Sequence, residues 1–148
     1  MRNPRIIWAM NAFVGVKIAL LVDDGVVMIQ RDEKPGLRFA GMWDFPGGGR
    51  EGQETPLECI VREVQEELGI TLNPASIVWQ KEWPAIHSPS LRAHFMVAKL
   101  DQRTLEQVRF GNEGQRWRLM PVAEMLRDTD VVPHLQVRLQ DYLDAQRP

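Results

Sequence analysis

Sulfur chemistry has almost nothing to work with in this chain: among 148 residues there is one cysteine, Cys59. A single cysteine excludes an internal disulfide framework and a four-cysteine zinc site, and it suits a reducing compartment. Histidine is nearly as scarce. His87, His94 and His134 stand at no metal-ligand spacing and no H-E-x-x-H pattern occurs, so zinc hydrolysis is not indicated. Nor is there a basic excess. Eighteen Lys and Arg face 20 Asp and Glu, for a net charge of −2, which leaves no electrostatic track for a duplex or a long polyanion. No apolar run reaches the roughly 20 residues that span a bilayer. Ile6–Val22 follows a short basic start and imitates an export signal. Asn11 and Lys17 interrupt it, however, and no small-residue cleavage site follows, so it reads as a buried strand. These absences predict a soluble, cytoplasmic protein that forms no stable complex with nucleic acid or membrane. No ordering of Ser, His and Asp or of Cys and His offers a protein nucleophile.

What is present is ordinary globular material, 44% apolar and 26% charged. A chain of this length is one domain's worth, and about two-thirds of its unfolded surface can be buried on folding. The pattern predicts strands over Phe13–Val22 and Val26–Arg31 about an Asp23-Asp24-Gly25 turn, then a loop over Asp32–Ala40. A short strand over Met42–Phe45 ends at Pro46-Gly47-Gly48-Gly49. Thr55-Pro56-Leu57-Glu58 has the chemistry of a capping box with proline in the first turn, and Gly69 that of a helix terminator. Further strands are predicted over Ser76–Trp83, Leu91–Leu100 and Gln115–Met120, and helices over Val122–Leu126 and His134–Gln146. Elements mixed so irregularly point to an α/β or α+β sandwich rather than a βαβ repeat.

The chemistry concentrates in the helix Thr55–Leu68 and the glycines before it. On a wheel of about 100° per residue with Glu63 at zero, Leu57, Val61, Val64 and Leu68 fall on one stripe. Glu63, Glu66 and Glu67 gather on another face. Carboxylates at i, i+3 and i+4 repel one another. A hard divalent cation turns that repulsion into attraction and brings a phosphate with it. Arg62 and Glu54 are placed to orient the acids as a supporting pair. Cys59 lies about 40° from Glu63 on the same wheel, with packing beneath the acids as its simplest role.

Gly48, five residues, Glu54, seven residues, then Arg62-Glu63-Val64-Gln65-Glu66-Glu67-Leu68-Gly69-Ile70 resembles the Nudix box of the Nudix hydrolases with no departure. Seven fixed letters coincide by chance at roughly one in 10⁹ per start position. The box covers residues 48–70. Trp43-Asp44-Phe45-Pro46-Gly47-Gly48 before it and Asn112-Glu113-Gly114-Gln115 after it are similar to the MutT-like branch. The resemblance implies a single domain over residues 1–148 with an α/β/α sandwich fold, a mixed sheet lying between helices. It implies a Mg²⁺- or Mn²⁺-dependent hydrolase of nucleoside diphosphate derivatives. In MutT-like members a (deoxy)nucleoside triphosphate yields a monophosphate and pyrophosphate. By the same resemblance Glu63, Glu66, Glu67 and the carbonyl of Gly47 hold the metal, with Glu113 assisting it or the attacking water. Glu54 and Arg62 form the supporting pair. Arg31, Asp44, Phe45 and Gly48 match positions near the substrate. Which of Glu63, Glu67 and Glu113 is the general base stays open.

Base recognition is thinly written. Trp43, Trp83 and Trp117 are candidates for stacking on a base, with core packing as the competing role. His134 is a candidate hydrogen-bonding partner for a base. The asparagine with which the MutT-like branch reads oxidised guanine would fall near 131–134, where none stands. The expected partner is a small nucleotide, and the expected assembly a monomer or homodimer. Two alternatives stand beside this reading: hydrolysis of ADP-ribose or a sugar nucleotide, and a non-catalytic nucleotide-sensing module.

Overall fold

The computed structural model describes residues 12–148; the predicted start of the first apolar run, Ile6–Met10, lies outside them. In chain order the elements are β1 (Phe13–Val22), β2 (Gly25–Gln30), β3 (Trp43–Asp44), β4 (Gly47–Gly49), α1 (Pro56–Leu68), a 3₁₀ turn (Pro74–Ser76), β5 (Ile77–Ala85), β6 (Ser88–Lys99), α2 (Gln102–Leu105), β7 (Arg116–Pro121), α3 (Val122–Met125) and α4 (Pro133–Ala145). The seven strands form one sheet of order β3-β2-β1-β6-β5, with β4 also paired to β1 and β7 to β2. β1 and β6 run parallel and the other pairs antiparallel, so the sheet is mixed, as expected.

Side chains alternate across a strand with period two, and that alternation builds two cores. Val16, Ile18, Leu20, Val27 and Ile29 face Cys59, Ile60, Val64 and Leu68 of α1. Ala19, Val26, Met28, Phe95 and Val97 face Leu135, Leu139 and Tyr142 of α4. The result is the α/β/α sandwich.

Local chemistry sets α1. Thr55 accepts from the Glu58 N–H at 3.1 Å and the Glu58 carboxylate accepts from the Thr55 N–H at 3.0 Å. Gly69 ends the helix at φ 66°. The stripe that enters the core differs from the expected one. Leu57 is 39% exposed, while Ile60 is fully buried. Leu57 sits in the first turn, and the helix drops onto the sheet only from Cys59 onward.

The glycine run also differs from expectation. It forms a strand, with Gly49, Gly48 and Gly47 opposite Gly15, Val16 and Lys17 of β1. Farther along, β1 turns its partner over to β2, with Leu21 opposite Val26 and Val22 opposite Gly25. One edge of β1 is thus shared between β4 and β2. The sheet parts where the two diverge, and Lys17 stands at the parting. β5 and β6 run longer than predicted and close at a two-residue turn, with Ala85 opposite Ser88. α2 has no counterpart among the predicted elements.

Candidate active site

The parting of the sheet is lined by acids on one side and cations on the other. Gly47 adopts φ +134°, a conformation reserved for glycine, and a Cβ there would overlap the Val16 carbonyl. That twist turns the Gly47 N–H to Glu67, whose Oε1 accepts it at 2.7 Å. Gly48 needs its missing side chain for another reason: a Cβ would meet Glu63 Oε1 at 2.7 Å. The bend therefore lets two carboxylates of α1 lie directly against backbone. Burial pushes the Glu67 carboxyl up to about 8, against the pull of the Lys17 ammonium and the Gly47 N–H, with Glu63 and Asp44 adding to the push.

Arg62 organises the outer acids. Its Nε and Nη2 donate to the two oxygens of Glu54 at 2.7 and 3.0 Å. Nη2 also reaches the Gly49 carbonyl at 2.9 Å, while Nη1 reaches Glu63 at 2.9 Å and Glu66 at 3.2 Å. A forked guanidinium suits this work because its donors are coplanar and fixed. The fork holds the Glu54 carboxyl down at about 2, helped by the Glu51 N–H. Cys59 lies beneath, its Sγ 3.8 and 3.7 Å from the carbonyls of Gly48 and Gly49.

On the opposite wall Lys17 Nζ donates to Asp44 at 3.0 Å and to the carbonyls of Phe45 and Gly47 at 3.3 and 3.2 Å. Arg31 Nη1 donates to the same Asp44 oxygen at 2.8 Å. Asp44 thus fixes two cations instead of standing free for a ligand. Glu113 comes in from the β7 side. Its loop is pinned where the Gly111 N–H donates to the Glu67 carbonyl at 2.9 Å and Gln115 N–H to the Gln30 carbonyl at 2.8 Å. Lys17, Arg31, Asp44, Gly47, Glu67 and Glu113 line one cavity of about 300 Å³.

The oxygen donors around the bend fit a hard divalent cation by chemistry. They do not form a ready cage. No group of three His, Cys, Asp or Glu among the described residues stands close enough together to hold an ion. Glu63 and Glu67 lie against the bend, whereas the Glu66 side chain is 57% exposed and turned to Arg62.

Four expectations of contact with the nucleotide are corrected. Phe45 is 1% exposed and stacks on Phe95 at 5.9 Å, so its ring belongs to the core and only its backbone reaches the cleft. Trp43 is buried in the same core, and Trp117 packs against the α1 side. Trp83 lines a separate depression with Gln136 and Asp141. His134 does reach the site region. It lines a second cavity of about 390 Å³ that also touches Lys17, Arg31, Asp44 and Gly48. Burial, with the charge of Arg138, brings its imidazole down to about 4.

Lys17 and Arg138 were not singled out as site residues by the sequence reading. Both carry the same signal: one cation on an apolar stripe, Lys17 amid β1 and Arg138 between Leu135 and Leu139 on α4.

The profile of the NUDIX domain family matches residues 12–140. An 8-oxo-dGTP diphosphatase of Proteus vulgaris is 38% identical over 55 residues, 37% of this chain and 47% of that protein. An RNA pyrophosphohydrolase of Halorhodospira halophila is 44% identical over 64 residues, 42% of this chain and 30% of that protein. The match thus spans less than half the length of either curated relative. A MutT protein from Methanosarcina mazei superposes with a TM-score of 0.73 at 19% identity, covering 93% of this chain and 98% of that one. A family match running from the start of the sheet into the last helix, over the bend and acids just described, makes this chain a member of the Nudix family.

Proposed function

We propose that the protein is a single-domain pyrophosphohydrolase of the cytoplasm that cleaves a (deoxy)nucleoside triphosphate to the monophosphate and pyrophosphate. The observation that carries this reading is the opposition of Glu67 and Glu113 to Lys17 and Arg31 across one cleft, with Glu63 against the Gly48 backbone. Charge of both signs at a glycine bend is what displacement at phosphorus needs, since positioning and charge neutralisation dominate that chemistry. Mg²⁺ or Mn²⁺ at Glu63, Glu66, Glu67, the Gly47 carbonyl and Glu113 would neutralise phosphate oxygens and acidify a water. Lys17 and Arg31 draw the remaining phosphate charge toward the acids. One carboxylate among Glu63, Glu67 and Glu113 removes a proton as water attacks, the new P–O bond forms, and the anhydride P–O bond breaks to leave pyrophosphate. Glu54 holds Arg62, and Arg62 holds Glu63.

The relative named as an RNA pyrophosphohydrolase supports a second reading on the same chemistry, a triphosphate at an RNA 5′ end. The test is a panel of nucleoside triphosphates, ADP-ribose and 5′-triphosphorylated RNA incubated with Mg²⁺, with the products separated. Pyrophosphate plus monophosphate from a free triphosphate is the expected result. AMP plus ribose phosphate, or turnover of RNA alone, would replace the proposal, and binding without turnover would make the protein a sensor.

A further inference from the structure

Lys17 is engaged in a way that its pull on phosphate does not explain. It stands on β1 opposite Gly47, with its side chain 25% exposed. A lysine ammonium has three protons to donate and accepts nothing. Asp44 Oδ2 at 3.0 Å, the Phe45 carbonyl at 3.3 Å and the Gly47 carbonyl at 3.2 Å take all three. A phosphate can therefore be met only after one of these bonds is given up. The bond to Asp44 is charge-assisted at both ends and the strongest of the set, so it is the last to yield.

The three oxygens around Nζ, one carboxylate and two carbonyls, are a set that a hard cation takes. One of them, the Gly47 carbonyl, is also the backbone oxygen that the proposed reaction gives to Mg²⁺ or Mn²⁺. The bend has little room to turn that oxygen elsewhere. Gly47 is held at φ +134°, tight against the backbone of Val16 and Lys17, with its N–H on Glu67 at 2.7 Å. A divalent ion sits about 2.0–2.6 Å from its oxygen ligands, so an ammonium on the same oxygen lies within a few ångströms of it. Two cations that close repel, and a partly buried cleft screens them poorly. The ion and the ammonium are rivals for one carbonyl.

We propose that Lys17 is a resident cation of the bend that trades places with the divalent ion. In the metal-free protein its ammonium holds the Gly47 carbonyl. With metal bound it lets go of that oxygen, keeps Asp44 as its anchor and turns the released N–H toward phosphate. The proposal rests on the metal reading above but not on hydrolysis, so its first test contains no nucleotide. Mn²⁺ is titrated into the full chain by calorimetry, with unbound ion counted by EPR. Lys17→Met is expected to bind Mn²⁺ about tenfold more tightly than the parent. Arg31→Met takes the same charge from Asp44 but no bond from Gly47, and is expected to gain no more than about threefold. In turnover, Lys17→Met is expected to need less Mg²⁺ for its half-maximal rate while its KM for a triphosphate rises; a merely structural loss would worsen both. A crystal structure of the parent with Mn²⁺ is expected to show Nζ on Asp44 but out of hydrogen-bond reach of the Gly47 carbonyl. Unchanged or weaker Mn²⁺ binding by a folded Lys17→Met overturns the proposal, and so does an equal gain in Arg31→Met. So does a bound ion with the lysine still on the Gly47 carbonyl, and so does failure of every form to bind Mn²⁺. Should Lys17→Met not fold, the Mn²⁺ structure decides. Exchange of the lysine without triphosphate hydrolysis would sink the proposed function and leave this proposal standing; hydrolysis with Mn²⁺ affinity unmoved by Lys17→Met would do the reverse.

Discussion

Glu67 makes the protein's stability depend on pH in an unusual direction. Its carboxyl moves from an ordinary 4.5 in the open chain to about 8 in the fold, chiefly through burial. The folded state therefore keeps a proton that the unfolded state has released, and stability falls as pH rises between those values. At 1.36 kcal/mol per pH unit the whole window is worth about 4–5 kcal/mol. His134 works oppositely. Its folded value of about 4 lies below the ordinary 6.5, so its contribution rises with pH and is complete by 6.5. Between pH 6.5 and 8 Glu67 acts without that opposition, at about 2 kcal/mol. For a chain of this size that is a fall in Tm of about 4–8 °C. Glu67→Gln keeps an oxygen for the Gly47 N–H but cannot ionise. The expected result is a Tm that declines from pH 6.5 to 8 in chelator for the parent protein, and a much flatter profile for Glu67→Gln. The variant should also lose turnover by orders of magnitude. Parallel profiles would refute the buried-carboxyl argument, and an unchanged rate would remove Glu67 from the chemistry.

The supporting pair gives a second check: in Arg62→Met the Glu54 carboxyl should climb from about 2 toward 4.5 in a carboxyl NMR titration, and turnover should drop by about 10–100-fold, the usual cost of losing an orienting partner. Phe45→Ala should cost about 3–5 kcal/mol in urea unfolding, as a large core truncation does, whereas a stacking role would show first in KM. Gly47→Ala forces a side chain into φ +134° and onto the Val16 carbonyl, so a loss of at least about 2 kcal/mol is expected by the same measurement. Chelation of divalent ions should abolish turnover, with Mg²⁺ or Mn²⁺ restoring it.

Elements whose cause is local were legible in the chain. Thr55, Pro56, Glu58 and Gly69 write the ends of α1 in side chains that act on their own helix, and the Asp23-Asp24 turn does the same for the first hairpin. The glycine strand was not legible, because glycine has no strand preference. It pairs only because the first half of β1 offers an edge that nothing else satisfies. Phe45 misled for a related reason: its place in the motif is beside the cleft, but the pleat after Asp44 sends its ring to Phe95, 50 residues on. At the site, the acids on α1 could be read because a helix fixes their spacing. Lys17, Arg31 and Asp44 come from three separated segments, so their meeting depends on how the sheet parts.

Cys59 gives the fold an internal alarm. Its thiol is sealed under the ridge formed by Gly48 and Gly49, and burial raises it to about 11, so in the closed protein it is neither reachable nor ionised. Only an excursion that lifts the ridge from α1 exposes it. The rate at which a thiol reagent captures this one sulfur therefore clocks local opening of the ridge, and occupancy of the cleft should slow that clock.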